Sequence, residues 1–168
     1  MSQHVMVARL GVHDTGVVVA GRAGAHVTEI NFIDVYDRLD FGLGQALDQL
    51  DVLGLVPGER AIDLTLVAAT VVAADTRISR EAAAQDGWTR EIEISVPVSE
   101  PAVWERVSSL LQTTLDFLTG DKWTLQFRAR PASRDRLAPV TENLRTAHPD
   151  CVCLFSGGLV QCFVLFRT

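Results

Sequence analysis

Three consecutive residues near the end of the sequence, Ser156, Gly157 and Gly158, have the types that could bind a phosphate. They follow an apolar run at residues 151–155 that is typical of a strand. Two adjacent glycines let the backbone point its amides toward one spot, and a neighbouring hydroxyl can donate to a phosphate oxygen. This tripeptide is the candidate cofactor-binding site. The alternative is a simple turn between two strands, the second at residues 159–166.

Two groups of charged residues elsewhere could also contact anions. Asp75, Arg77 and Arg80 follow a long apolar segment, where we expect an ion pair at a helix end in preference to a phosphate site. A second group of charged residues is more typical of a solvated linker than of a nucleic-acid site. It consists of Arg128, Arg130, Arg134 and Arg136.

Aromatic, thiol and imidazole side chains indicate no further site. Trp88 and Trp123 precede or begin predicted strands, where packing is a more common role than contact with a base or a partner. His148, Cys151 and Cys153 lack the spacing of a zinc site, so we predict no metal site. No Ser–His–acid or Cys–His arrangement is evident, and the catalytic residues are therefore unknown.

The composition restricts the class of protein. The 168 residues, of which 48% are hydrophobic, suffice for one domain with a buried core. A formal net charge of −6 argues against general affinity for nucleic acid or an anionic membrane. We expect a cytoplasmic protein, because the sequence shows no secretion-signal pattern or membrane-length apolar run. Its three cysteines without a CxxC pair also suit a reducing compartment.

Hydrophobic spacing predicts the elements that position these residues. In the first half we expect strands at residues 4–10, 17–21 and 28–35 and helices at 44–53 and 58–74. The longer helix is apolar nearly all round, which predicts a central, buried position.

In the second half, residues 91–96 alternate between polar and apolar types and predict a half-buried strand. Ser99 is expected to cap the next helix, and Gly120 to end it in a left-handed conformation. The stripe that should pack this helix is Trp104, Val107, Leu111, Leu115 and Leu118. A strand at 123–128 follows. The pattern predicts an α+β or α/β fold, with a sheet packed by two to three helices.

The chain divides into three parts by composition. Residues 1–130 are predicted to form an N-terminal α/β region. Residues 131–150 contain three prolines and many charges, and we predict a linker there. Residues 151–168 then begin a second unit with the apolar run and the Ser-Gly-Gly tripeptide.

Several segments resemble one known family. Leu-Phe-Ser-Gly-Gly-Leu at residues 154–159 looks like the start of the Ser-Gly-Gly-x-Asp-Ser motif of PP-loop ATP pyrophosphatases. Within that superfamily the sequence is most similar to QueC-like proteins, the 7-cyano-7-deazaguanine synthase relatives. Upstream segments resemble a QatC-type subgroup associated with antiphage defence: residues 41–46, 74–80, 86–90 and 117–123.

The resemblance implies ATP-dependent chemistry. In this family ATP adenylates a carboxylate, ammonia attacks, and an amide or nitrile results. By the resemblance, residues 151–168 start the PP-loop domain, Ser156, Gly157 and Gly158 hold the ATP phosphates, and Mg²⁺ accompanies ATP. Val160 and Gln161 stand where the motif has Asp and Ser. We therefore expect a chain that ends inside its ATP motif, through truncation or a frameshift, and lacks the family's cysteine zinc site.

The function expected from the sequence has two versions. The first is the N-terminal part of a QueC-like ATP-dependent enzyme in antiphage defence, inactive by itself. The alternative is a non-catalytic protein-interaction module or an inactive remnant. For either version the expected partners are proteins of a defence operon or a second copy of the chain, without a membrane and without direct nucleic-acid contact.

Overall fold

A computed structural model of the chain describes residues 4–16, 24–84, 88–138, 152–153 and 164–165. The strand predicted at residues 17–21 lies outside these ranges. The elements in chain order are β1 (His4–Arg9), β2 (His26–Asn31), α1 (Leu43–Val52), α2 (Glu59–Arg77), α3 (Arg80–Ala83), β3 (Glu91–Val98), α4 (Pro101–Thr119), β4 (Lys122–Ala129), a 3-10 helix (Ala132–Arg134), β5 (Val152–Cys153) and β6 (Val164–Leu165).

Four parallel strands form the main sheet, in the order β2-β1-β3-β4. His4 lies opposite His26 on one side and Ile92 on the other, and Ile92 lies opposite Trp123. Parallel neighbours need long crossover connections. The β2-to-β3 crossover contains α1, α2 and α3, and the β3-to-β4 crossover contains α4. The fold is therefore α/β, as one of the two predicted classes stated.

One face of the sheet packs against α2 and α4. Alternate side chains of the strands, including Ile94 and Phe127, form one buried cluster with Leu66 of α2 and Trp104 of α4. The alternation places β-branched and aromatic side chains on this face at every second position. Burial of each large apolar side chain stabilises the fold by about 1.5–3 kcal/mol. This cluster is the core that positions the ends of the strands.

The opposite face is buried at the centre of the sheet as well. Val5 and Val7 of β1 are buried there, and so are Glu93 and Ser95 of β3. The prediction of a half-buried β3 is therefore wrong. The physical reason is that β3 is a central strand of a parallel sheet, and such strands are covered on both faces.

Helix α2 has one buried side and one exposed side. Ile62, Leu66 and Thr70 are buried, whereas Leu64 and Val72 are more than half exposed. The prediction of burial all round is wrong, because the helix contacts the sheet along only one side. An apolar sequence alone does not supply a second layer of partners.

Helix α4 starts at a different residue from the one predicted. Glu100, and not Ser99, is the residue that precedes its first turn, and Pro101 occupies the first position. Ser99 instead donates its amide and hydroxyl to Asp63. Gly120 ends the helix with φ of 73°, as predicted. The buried side carries Trp104 and Ser108.

The first part of the predicted linker, residues 131–138, lies against α2. The backbone amides of Leu137 and Ala138 donate to the Glu59 carboxylate, and Leu137 packs on the core cluster. Residues 139–150 lie outside the described ranges. No helix within the described ranges is both long and apolar enough to cross a membrane.

Candidate functional site

The carboxyl edge of the sheet is the first place where a ligand site would be expected. In open α/β sheets, ligands bind at this edge where the strand order reverses. The chain leaves β1 toward β2 on one side and β3 toward β4 on the other. The reversal therefore lies between the carboxyl ends of β1 and β3, next to residues 10–16 and Ser99.

A buried ion pair, Asp14 with Arg128, occupies the β1 end of this edge. The Asp14 carboxylate accepts two hydrogen bonds from the Arg128 guanidinium, at 2.5 and 2.7 Å, and one from the Leu10 amide at 2.9 Å. Burial raises the pKa of Asp14, but the hydrogen bonds from Arg128 and Leu10 outweigh burial and hold it below its usual value. A Cβ on Gly16 would lie 2.9 Å from Arg128 Nη1, so glycine permits this close approach.

Asp63 joins three elements at the β3 end of the edge. Its side chain is fully buried. It accepts hydrogen bonds from the Ser99 hydroxyl at 2.7 Å, from Trp104 Nε1 at 3.1 Å and from Arg130 Nη2 at 2.5 Å. The carboxylate thereby ties α2 to the start of α4 and to the end of β4. One signal could have indicated it: Asp63 interrupts the otherwise apolar side of a helix.

Glu59 completes the polar cluster. Its carboxylate accepts from Arg130 Nη1 at 2.5 Å and from the amides of Leu137 and Ala138 at 3.1 and 2.9 Å. Burial raises the pKa of Glu59, but the hydrogen bonds from the Ala138 amide and the Arg130 guanidinium outweigh burial. The pKa of Glu59 therefore lies below its usual value. A carboxylate kept ionised in this way is poorly matched to general base catalysis near neutral pH. These three carboxylates position chain segments.

The amino edge of the sheet contains a second buried network, centred on Arg90. The Arg90 side chain is almost fully buried and donates to Asp121 Oδ2 from Nε at 3.1 Å and from Nη2 at 2.5 Å. Its remaining donors contact the carbonyls of Asp75 and Ile78 and the Asp75 carboxylate. All five guanidinium hydrogens are thus used.

Arg80 adds a second guanidinium to the same carboxylate. It donates to both oxygens of Asp121 at 2.9 Å, and to the carbonyls of Trp88 and Thr119. The ion pair expected near the end of α2 is therefore present, with Asp121 as the main partner of Arg80. Three of the four family-like segments, residues 74–80, 86–90 and 117–123, meet in this network.

The predicted cofactor-binding residues, Ser156, Gly157 and Gly158, lie outside the described residues. On either side of them, β5 pairs antiparallel with β6, with Val152 opposite Leu165. The proposed phosphate contacts stay a prediction.

The remaining predicted residues fall into two groups. Trp123 is buried, as expected, whereas Trp88 is 75% exposed, so the packing role predicted for it is wrong. Arg128 and Arg130 take part in the buried ion pairs described above, so the prediction of a solvated stretch is wrong for these two. Their partners are distant in sequence, and local composition could not reveal them.

A further surface feature is an exposed apolar stripe on α4. We define the α4 stripe as Val107, Leu110, Phe117 and Leu118, all exposed, with Phe117 at 88% and Leu110 at 67%. Two of them, Val107 and Leu118, were predicted to pack against the sheet. The side of α4 that faces the sheet carries Trp104, Leu111 and Leu115, as predicted, together with Ser108.

The described ranges contain no group of three or more His, Cys, Asp or Glu side chains that could hold a metal ion. Comparison with known proteins gives no relative: no family model, no curated protein and no solved structure matches the chain.

Proposed function

We propose that this chain is the N-terminal part of a QueC-like PP-loop protein that acts in antiphage defence in the cytoplasm. In this proposal the α/β unit supplies protein–protein contacts to the assembly and supplies no catalytic group. The observation that carries the proposal is the exposed α4 stripe on a unit in which the three carboxylates described at the carboxyl edge, Asp14, Asp63 and Glu59, are engaged in ion pairs.

The Arg90 network supports the link to the family. The segments that carry the resemblance contribute Asp75, Arg80, Arg90 and Asp121, and these residues hold together the end of α2 and the starts of β3 and β4. Residues in such a network connect neighbouring elements of the fold. Their resemblance to QatC-type sequences therefore suggests a shared architecture, independent of any catalytic role.

The width of the apolar surface on α4 supports a partner-binding role. At 100° per residue, the arc from Phe117 through Leu110 and Leu111 to Ser108 covers roughly 180°. Packing on one side needs an apolar arc of about 100°. The sheet covers only the part from Leu111 to Ser108, and the α4 stripe occupies the rest.

The expected occupant of the α4 stripe is α4 of a second copy. Val107, Leu110, Thr114 and Phe117 follow the spacing of three, four and three residues that lets helices interdigitate. A 19-residue helix is about 28 Å long and about 10 Å wide. Its contact area of about 300 Å² per partner is below the about 800 Å² of stable interfaces. We therefore expect a weak dimer.

Analytical ultracentrifugation over a range of concentrations tests this proposal. Leu110→Glu and Phe117→Glu each place a charge within the α4 stripe and should shift the chain toward the monomer. Ser109→Glu is the matched control, because it adds the same charge to an exposed position about 100° away on α4. A wild-type chain that sediments as a monomer at all concentrations, or an equal effect of the control, would reject the α4 dimer.

ATP binding is the second candidate function, favoured by the Ser-Gly-Gly sequence directly after the strand predicted at residues 151–155. In this version the amides of Gly157 and Gly158 and the hydroxyl of Ser156 contact the phosphates. Charge-assisted hydrogen bonds contribute about 1.5–3 kcal/mol each, while association costs about 4–15 kcal/mol. Val160 offers no side-chain oxygen to Mg²⁺. The expected affinity is therefore low.

Calorimetry with ATP and Mg²⁺ tests this second version. The wild-type chain is compared with the double variant Ser156→Ala, Gly157→Ala. Saturable binding that the double variant loses would support phosphate contact by this loop. Absence of binding at millimolar ATP would leave the interaction role as the proposal.

A further inference from the structure

The space between α1 and α2 is incompletely filled. A cavity of about 190 Å³ lies there, lined by apolar side chains and one threonine. These residues are Leu39, Leu43, Ala46, Leu47, Leu50, Pro57, Ala61, Ile62 and Thr65. No residue of α1 is buried, although Leu43, Ala46, Leu47 and Leu50 occupy one side of this helix. An apolar helix side that faces a gap differs from an ordinary packed side, because native interiors contain few voids.

A second cavity of about 200 Å³ adjoins the first, and Leu39 and Leu47 line both. Its lining is charged. It includes the arginines Arg38, Arg134 and Arg136 and the aspartates Asp37 and Asp48. The local formal charge is therefore +1, in a chain whose net charge is −6.

One of the three arginines has no ion-pair partner within the described ranges. Arg38 pairs with Asp48, and Arg134 pairs with Asp37. Arg136 is exposed and has no ion pair or hydrogen bond with another residue of the described ranges. A guanidinium presents paired donors that match a carboxylate. The charges of the second cavity thus suit one anionic group.

We propose that the two cavities form one site for an amphipathic monocarboxylate, with the acyl chain between α1 and α2 and the carboxylate at Arg136. At about 30 Å³ for each methylene-sized group, the apolar cavity holds about six carbons. The combined volume also falls within the range of small-molecule sites, which are mostly apolar with few polar groups. This inference is independent of the α4 stripe and of ATP.

The geometry at the start of α1 brings the two cavities together. The Gly44 amide donates to the Leu39 carbonyl at 3.2 Å, and a Cβ on Gly44 would lie only 2.6 Å from that oxygen. The absence of a side chain at Gly44 lets the first turn of α1 approach Leu39. Leu39 and Leu47 then line both cavities, so that a ligand's carboxylate and its tail meet at these two leucines.

Calorimetric titration of the full chain with octanoate tests the proposal. Octanamide has the same tail without the charge, and acetate has the charge without the tail. We expect saturable octanoate binding below about 1 mM, with both comparison compounds at least about tenfold weaker. Equal affinity for octanoate and octanamide, or no binding of octanoate at millimolar concentration, would overturn the proposal. No binding of octanoate is also the result expected if another segment of this chain already fills the site.

Two variants separate the carboxylate contact from the tail contact. Arg136→Gln should weaken octanoate binding at least about tenfold, since the charge-assisted hydrogen bonds are lost. Ala46→Phe should abolish binding, because the ring fills the apolar cavity. Arg77→Gln, which removes an exposed arginine at the end of α2, is the control and should leave the affinity unchanged. Unchanged affinity in Arg136→Gln would refute the assigned carboxylate position, whatever the other variant shows.

Discussion

Replacement of Asp121 by alanine is expected to destabilise the fold strongly. The Asp121 side chain is fully buried and accepts hydrogen bonds from Arg80, from the Arg90 guanidinium and from the Arg90 amide. The variant leaves a buried guanidinium with only Asp75 as a charged partner. Removal of one member of a buried ion pair costs about 3–5 kcal/mol. That loss is a large fraction of the about 5–15 kcal/mol by which a typical domain is stable.

Urea denaturation measures this loss directly. For a chain of this size, each 1 kcal/mol corresponds to roughly 2–4 °C in Tm, so thermal unfolding should shift by roughly 6–20 °C. Glu105→Ala, at an exposed carboxylate of α4, is the control and should change the free energy of unfolding by less than about 0.5 kcal/mol. A cost below about 1 kcal/mol for Asp121→Ala would show that the network does not hold the strands as described.

A double variant separates the loss of the pair from the exposure of one unpaired charge. Asp121→Leu combined with Arg90→Met removes both buried charges and keeps the volume apolar. Arg80 and Asp75 each lose a partner, but their side chains are 40% and 44% exposed and stay hydrated. Buried pairs replaced in this way are often neutral or even stabilising. We expect the double variant to recover most of the stability that Asp121→Ala loses. Equal stability of the single and double variants would contradict the desolvation argument.

Two further predictions concern the buried ion pairs at the two edges of the sheet. The pKa values of Asp14, Glu59 and Asp121 lie below their unfolded values. The contribution of these carboxylates to stability is therefore present above about pH 5 and is lost as the pH falls through the folded pKa values. Acid unfolding followed by circular dichroism checks this prediction. Gly16→Ala should cost about 1–3 kcal/mol, because its Cβ displaces the Arg128 guanidinium from its buried ion pair. Urea denaturation measures this cost beside the control Gly58→Ala, at a glycine with extended backbone and open space around it.

Several elements could be predicted from the sequence because their signals are local. Trp123, Leu125 and Phe127 alternate with polar residues and are buried in β4, and Gly120 ends α4 in the left-handed conformation. Period-two alternation and the freedom of glycine act within a few residues. The polar clusters could not be predicted in this way, because Arg130 and Asp63 are 67 residues apart in the chain. Their pairing exists only once α2 packs on β3, the strand next to β4.

The central position of β3, and with it the burial of both of its faces, was decided by the tertiary structure. Residues 91–96 were predicted to be half-buried from their alternation, yet β3 is central and both of its faces are buried. The apolar side of α4 could not be assigned from the sequence for a similar reason. Its apolar arc is wider than the area in contact with the sheet, so the sequence does not determine which part of the arc faces the sheet. The sequence by itself determined most of the helices and strands described above and an α+β or α/β class, because periodicity is local. Only the tertiary structure decided which faces and charges are buried, because burial depends on partners distant in the chain.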